Sequence, residues 1–573
     1  MVKKNFVFSL LLAATALLSS VFAQNPDDEI LLTVGNEKVT KGEFLRNYQK
    51  NNNLTQSSEK DLRDYLDLFV VYKLKVQDGL VKKVDTAMSF QRELAGYRGQ
   101  SAQQYLIDKE VTENLVDEAF ERSKSQVRAS HLLINCDYNA SPKDTLAAYN
   151  KIMRIRKEII DGLNFNDAAV KYSEDPSAKD RPDPQSKRVQ RGNRGELGYF
   201  SVFSLIYPFE TGAYTTPVGT VSMPVRSQFG YHLIYVQDKV PTIDRIVVSQ
   251  IFVEDTNALS GHISPAIQAK LDKIQQALKT TTFEEVVTQY SEDKASMLKE
   301  GKLMPFRPDQ RSGSFVAAAI HEKVGELSKP VASVLGWHLI RLDTLDYAKM
   351  NDEMKYLIRT RIARDSRSYK SKSSLVDRLK KEYKFEDKGR AAAFKYFEKN
   401  LPVSYFQSTN IKMEDLKDMD KLKPICSFAD QKLTVPEFAT YISRFQGMPV
   451  TNLSDFLKEK YESFVGEKIL AYENDHLEQK YAAFKDLIVE FHDGLMLYEM
   501  NANQVWNKAM QDSVGLEQFY EKNRQKYEGE LSEIRAVVVN DYQDFLEKEW
   551  VEQLKATYPV VIDEKSFRAI IKR

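Results

Sequence analysis

One segment of this chain is written twice. Phe165 and Tyr172-Ser-Glu-Asp175 recur as Phe283 and Tyr290-Ser-Glu-Asp293, with seven residues from Phe to Tyr in each copy. Gly230-Tyr-His232-Leu-Ile recurs as Gly336-Trp-His338-Leu-Ile, and the offset falls from 118 to 106 residues because the first copy carries about twelve extra residues. A repeat of this kind commits the middle of the chain to two versions of one small domain. Strand-like and helix-like stretches alternate within it. Residues 127–134 read as a strand, 145–160 and 165–172 as helices, and 231–236 as a closing strand. The extra residues, 179–194, are rich in Lys, Arg, Asp and Pro and read as an exposed loop.

The flanks are different. Residues 36–40 read as a turn and helix start, with Thr40 and Glu43 spaced as a capping box. Phe44, Tyr48, Leu62, Leu66, Phe69 and Leu74 fall on apolar helix faces, so 36–124 is expected to be largely helical. Residues 345–573 return to that composition. Asp430 to Phe438 echoes Asn36 to Phe44. Val514 to Tyr527, followed by Arg535-Ala-Val-Val-Val, echoes Val111 to Phe120 followed by Arg128-Ala-Ser-His-Leu. The C-terminal third is therefore expected to repeat the helical N-terminal region, with a strand after it. The expected class is α+β: helical regions flanking two domains, each a small antiparallel sheet with surrounding helices. The expected boundaries are 1–23 for a signal peptide, 24–124, 125–240, 241–345 and 346–573.

Lys3 and Lys4 precede an apolar run over 6–18 and small residues ending at Ala23, a secretory signal with its cut after Ala23. No later run is long and apolar enough to span a bilayer. Lys plus Arg and Asp plus Glu number 82 each, without the basic excess of a nucleic-acid binder. Cys136 and Cys426, 290 residues apart, read as buried thiols rather than a disulfide framework. No zinc-protease, serine-hydrolase or phosphate-loop motif is present. His131, His232 and Asp175 would meet the formula of a two-His, one-carboxylate metal site; that reading is set aside, and no metal or cofactor is expected.

The ordered elements Ala129 to Ile134, Phe165 to Asp175, Gly195 to Phe200, Pro208-Phe209-Glu210, Gly219 to Val225 and Phe229 to Ile234 resemble the parvulin (PpiC) family of peptidyl-prolyl cis-trans isomerases. The likeness covers one whole domain strongly and 246–343 moderately. The overall plan is similar to the SurA-type periplasmic chaperones, more loosely so in the helical ends. The resemblance implies a catalytic set of His131, His232 and Asp175. It implies a proline-ring pocket walled by Leu197, Leu205 and Phe209, a hydroxyl at Ser227 near the histidines, and Phe229 at the next inward site. The two imidazoles are expected to form a hydrogen-bonded pair. In the second copy the matching positions are Gln250, Asp293, Leu303, Phe315, Ser333 and His338, with Arg311 in place of Leu205 and Leu335 in place of Phe229. Weak or absent turnover is expected there. The family acts on X-Pro bonds without a cofactor, metal or covalent intermediate. Implied partners are unfolded or proline-containing polypeptides, outer-membrane proteins among them, with no nucleic acid and no stable membrane insertion; the implied location is the periplasm. The alternative is a non-enzymatic chaperone or assembly factor that uses these domains only to bind peptide.

Overall fold

A computed structural model describes residues 26–571, apart from 139, 183–188, 261, 408–415, 449 and 451. The expected signal segment lies outside the described residues. No helix among them is long and apolar enough to cross a membrane. The chain forms two units, one from the stretches before Leu106 and after Glu473, the other from Leu106–Glu473.

In the first unit the chain ends meet in one antiparallel sheet. Ile30–Val34 lies between Glu37–Thr40 and the C-terminal strand Val560–Ile562, with Leu32 opposite Ile562. Residues 37–40 are thus the second arm of a hairpin, and the helix begins only at Lys41. Thr40 does cap it, accepting from the Glu43 N–H at 3.2 Å. The reciprocal half of the box is missing because the Glu43 carboxylate is drawn to Lys73 at 2.7 Å. Lys73 lies on the Glu59–Val81 helix and is almost fully buried. Its ammonium also meets Glu37 at 3.0 Å and Asp493 at 2.8 Å. A buried charge needs this degree of pairing. The expected strand over 535–539 is helical instead, within Leu531–Thr557. Val538, Tyr542, Leu546, Trp550 and Leu554 continue one buried stripe at helical spacing, which overrides the local run of valines. The region 346–573, expected as one, is divided between the units, because its last hundred or so residues pack with the N-terminal segment around Leu66, Leu74 and Met496.

In the second unit, the first copy is a four-stranded antiparallel sheet ordered Glu196–Phe200, Ser125–Asn135, Gly230–Pro241, Val225–Arg226. One face, with Leu132, Ile134 and Leu233, packs on helices Pro142–Ile160 and Phe165–Tyr172. The opposite face carries Val127, Ala129, Ile234 and Val236 against Phe209 and Ala213. The second copy repeats the plan with Ile243–Glu254, Gly336–Tyr347 and Val331–Ala332. Its fourth strand is reduced to the bridges Ser249↔Lys302 and Ile246↔Phe306. Only Thr242 separates the last long strand of the first copy from the first strand of the second. Tyr199 of the first copy is buried in the second copy's core with Phe306, Phe315 and Val316. His321 reaches back to Asp238 at 2.8 Å. The helices over 352–469 complete this unit, with Ile358 and Ile362 on Leu115, Val116 and Tyr207.

Candidate active site

Strand register brings the two histidines of the first copy together. His131 lies opposite Ile234 and His232 opposite Leu133. Opposed residues share a face and so do residues two apart, which puts both rings on the pocket side. They are buried, with centroids 5.8 Å apart and planes inclined by 27°. Phe209 closes over both, edge to face, at 5.7 Å from His131 and 5.2 Å from His232.

The duplicated Tyr-Ser-Glu-Asp motif has a division of labour. Where the Glu196–Phe200 strand leaves off, this segment takes over the edge of the 125–135 strand. The Ser173 hydroxyl accepts from the Leu133 N–H at 3.2 Å, the Glu174 N–H donates to the Leu133 carbonyl at 2.8 Å, and the Glu174 carboxylate accepts from the Asn135 N–H at 2.7 Å. Ser and Glu thereby fix the backbone that presents Asp175. The Asp175 carboxylate lies 3.0 Å from His131 Nε2 and accepts from the Ser177 N–H at 2.8 Å. The second copy repeats the clamp through Ser291 and Glu292 on Phe252 and Glu254. The Gly-aromatic-His motif also has a steric origin. A Cβ on Gly230 or Gly336, each with positive φ, would sit 2.1 Å from a carbonyl oxygen of the neighbouring strand.

Electrostatics keep the imidazoles neutral. Burial lowers His131, against an opposing pull from Asp175. Burial, then the neighbouring His131, pushes His232 down to about 4. Burial works to raise Asp175, but the Ser177 backbone and side chain together with His131 outweigh it and hold the carboxyl below its ordinary range. A carboxylate only accepts, so neutral His131 carries its proton on Nε2. His232 Nε2 shares a 2.7 Å hydrogen bond with the Ser227 hydroxyl, which also accepts from the Phe229 N–H at 3.1 Å. Both Nδ1 atoms are buried without a hydrogen-bond partner. The expected direct bond between the imidazoles is therefore not made.

Leu197 and Leu205 are half-buried against the same cluster as Phe209, joined by Val225. Phe229 does not take the inward position: it is 53% exposed, as Leu335 is 64% exposed at the matching place. Each sits in the tight turn between the short edge strand and the next long strand, where its backbone N–H rather than its side chain is used. Among the described residues, the ligand atoms of His131, His232 and Asp175 do not cluster within metal-holding distance of one another.

In the second copy Gln250 spans the gap. Its amide donates to Asp293 at 2.9 Å and its carbonyl faces His338 Nδ1 at 2.8 Å, while His338 Nε2 meets Ser333 at 2.7 Å. The carboxylate fixes the amide's orientation and the amide oxygen fixes the proton on His338 Nδ1. Phe315 lies edge to face with His338 at 5.1 Å, and Leu303 pairs through its N–H with the Val248 carbonyl at 2.9 Å. Arg311 is exposed rather than buried in the wall.

A further support has no local signature in the sequence. Glu210, next to Phe209, is fully buried and bound by Arg122 at 2.8 Å and Arg367 at 2.9 Å, and it accepts from the Phe203 N–H at 2.7 Å. Arg367 also lies over the Phe203 and Tyr207 rings, at 4.1 Å and 4.7 Å. Only the Pro208-Phe209-Glu210 motif hinted at this carboxylate; Arg122 and Arg367 come from helical segments outside the repeat.

Comparison with known proteins agrees with this geometry. The model of the PPIC-type PPIase domain matches residues 117–240, and a second model of the same description matches 255–344. Chaperone SurA of Photorhabdus laumondii is 27% identical over 250 residues, 43% of this chain and 53% of that one. Foldase protein PrsA 1 of Bacillus cereus is 32% identical over 143 residues, 25% of this chain and 41% of that one. The matches thus span about half or less of these two relatives. A solved PrsA from Bacillus anthracis is 31% identical over 24% of this chain and 60% of that one, with a TM-score of 0.17, which adds nothing to the sequence match. With both repeats matched, residues 117–240 and 255–344 are two PPIC-type PPIase domains in tandem, in a chain similar to chaperone SurA over about two fifths of its length.

Proposed function

We propose that the first copy isomerises X-Pro bonds in polypeptide clients and that the whole chain is a chaperone-foldase of the bacterial periplasm. The observation that carries the reading is the junction at Phe209 of two unlike walls. Leu197, Leu205, Val225 and Phe209 are apolar, and His131, His232, Asp175 and Ser227 line the polar side. Rotation about an X-Pro bond breaks the resonance of the imide and is slow unaided. A catalyst of it breaks no bond; it binds the twisted form better than either planar form. The apolar wall grips the pyrrolidine ring while the chain on the other side turns. Stripping water from the carbonyl favours the twisted bond, which has less charge separation. Neutral imidazoles held by Asp175 and Ser227 give the polar flank a fixed set of donors and acceptors.

Alanine at His131 or Asp175 tests this. Isomerisation of a proline peptide should slow while circular dichroism is unchanged; unchanged turnover rejects the assignment.

Client holding without catalysis is the second reading, favoured by one observation in the helical unit. A groove of about 780 Å³ is lined by Tyr65, Phe69, Tyr72, Tyr97, Phe491 and Tyr498, with Leu68 exposed beside them. Aromatic faces of this kind suit unfolded segments, including those of outer-membrane proteins. Suppression of aggregation that survives alanine at both His131 and Asp175 would assign chaperoning to surfaces of this kind. The secretory start of the sequence and the SurA likeness support export to the periplasm; N-terminal sequencing of the mature protein tests the cut after Ala23.

A further inference from the structure

A cleft of about 1270 Å³ opens on the second copy, and its opposite wall is the Glu196–Gly198 edge of the first. Its walls are held in place by close packing. A Cβ on Gly313 would fall 2.5 Å from a Glu196 carboxylate oxygen and 3.0 Å from the Gly198 Cα. A site held open in this way binds without the cost of ordering its walls. Leu303 and Phe315 supply apolar surface, and beside them Gln250, His338 and Ser333 are hydrogen-bonded to one another in a chain.

The charge on this cleft is uneven. Arg128, Arg191 and Arg194 are each engaged by a carboxylate, at 3.1, 2.7 and 2.5 Å. Asp293 is engaged by Gln250 and Ser296. Arg311 stands where the first copy has Leu205. Its guanidinium lies 5.4 Å from the Phe306 ring centre, and among the described residues it has no carboxylate partner. The position that closes a ring pocket in one copy thus carries a free, planar cation in the other, beside the same leucine and phenylalanine.

We propose that this cleft binds an extended peptide through a carboxylate on Arg311 and a neighbouring apolar side chain on Leu303 and Phe315, without isomerising it. The proposal rests on the reading of the chain as a polypeptide binder and not on turnover at the first copy. Short fluorescent peptides carrying Phe-Asp, or Phe-Asn as control, each with a free or an amidated C-terminus, test it by anisotropy on the full chain. A guanidinium–carboxylate pair should favour the Phe-Asp peptide about tenfold, and Arg311→Leu should abolish that preference. A preference that follows only the free C-terminus, and is also lost in Arg311→Leu, names the chain end as the source of the carboxylate. Equal affinity for all four peptides, no binding of any, or a preference that survives Arg311→Leu overturns the proposal. Isomerisation of a proline peptide by the same unmodified protein reports separately on the first copy.

Discussion

In the first copy two buried imidazoles face each other with each Nδ1 unpaired; in the second, Gln250 replaces one ring and joins Asp293 to His338 without a break. The same carboxylate, serine and phenylalanine surround both pairs. Their helices are also secured differently. Glu210 in the first copy is locked by two arginines, whereas the residue after Phe315 in the second is Val316, equally buried in apolar packing. The copy with the incomplete hydrogen bonding is the one whose pocket wall is tied by charge to helices outside the repeat. Unsatisfied polar groups are costly and concentrate where chemistry is done. The comparison teaches that a glutamine in place of one histidine completes the hydrogen-bond network that two imidazoles leave open.

The widest separation between the copies is expected at their anchors. Glu210→Ala leaves Arg122 and Arg367 buried without their shared partner and should cost about 3–5 kcal/mol. Val316→Ala, which removes two buried carbons, should cost about 1.5–2 kcal/mol. Urea unfolding followed by hydrogen exchange in each copy measures both; equal costs would break the contrast. Acid should act on both copies through one matched histidine, and more strongly on the first, where burial lowers His131 as well. His232 and His338 titrate near 6.5 when unfolded but are pushed down to about 4 when folded, in both cases chiefly by burial. Between those values the unfolded chain binds more protons, so their contribution is complete above 6.5 and lost as pH falls toward 4. Thermal scans across that window should show it, and isomerisation should be flat from neutral pH to about 6 and fall near 4. For turnover, Asp175→Ala should lower kcat/KM at least about tenfold, while Asp293→Ala should leave it unchanged; a proline-peptide assay that finds the reverse would transfer activity to the second copy. The smallest effect is the most pointed. His131→Gln imports the second copy's bridge, and should raise stability by about 1 kcal/mol while turnover is lost. A variant that is both destabilised and active would show that the bridge is not what distinguishes the copies.

Much of the candidate site is legible in the sequence because its residues are fixed by local geometry. The spacing of Ser173, Glu174 and Asp175 reflects a clamp on one strand, and Gly230 and Gly336 reflect a backbone approach that leaves no room for a Cβ. His131 and His232 are paired in advance only by the parvulin resemblance; the strand register that puts them on one face cannot be read from either run alone. Phe229 was misplaced since nothing in its run separates a ring turned inward from one carried outward by a tight turn. The valines at 537–539 suggested a strand, yet the decisive pattern was the longer stripe from Val538 to Leu554. Arg367 could not be found at all: its tie to Glu210 spans 157 residues and leaves no periodic trace.

The three-stranded sheet that joins Ile30–Val34 to Val560–Ile562, and the ammonium of Lys73 held by Glu37, Glu43 and Asp493, set an order of events. A polypeptide delivered from its N-terminus must keep that lysine and that strand edge waiting until the last stretch of chain arrives, by which time every residue between has had the chance to fold. Closing so long a loop is slow. Maturation of the helical unit is therefore the final step of assembly, and any interruption of synthesis after Glu473 leaves finished parvulin domains attached to an unfinished start.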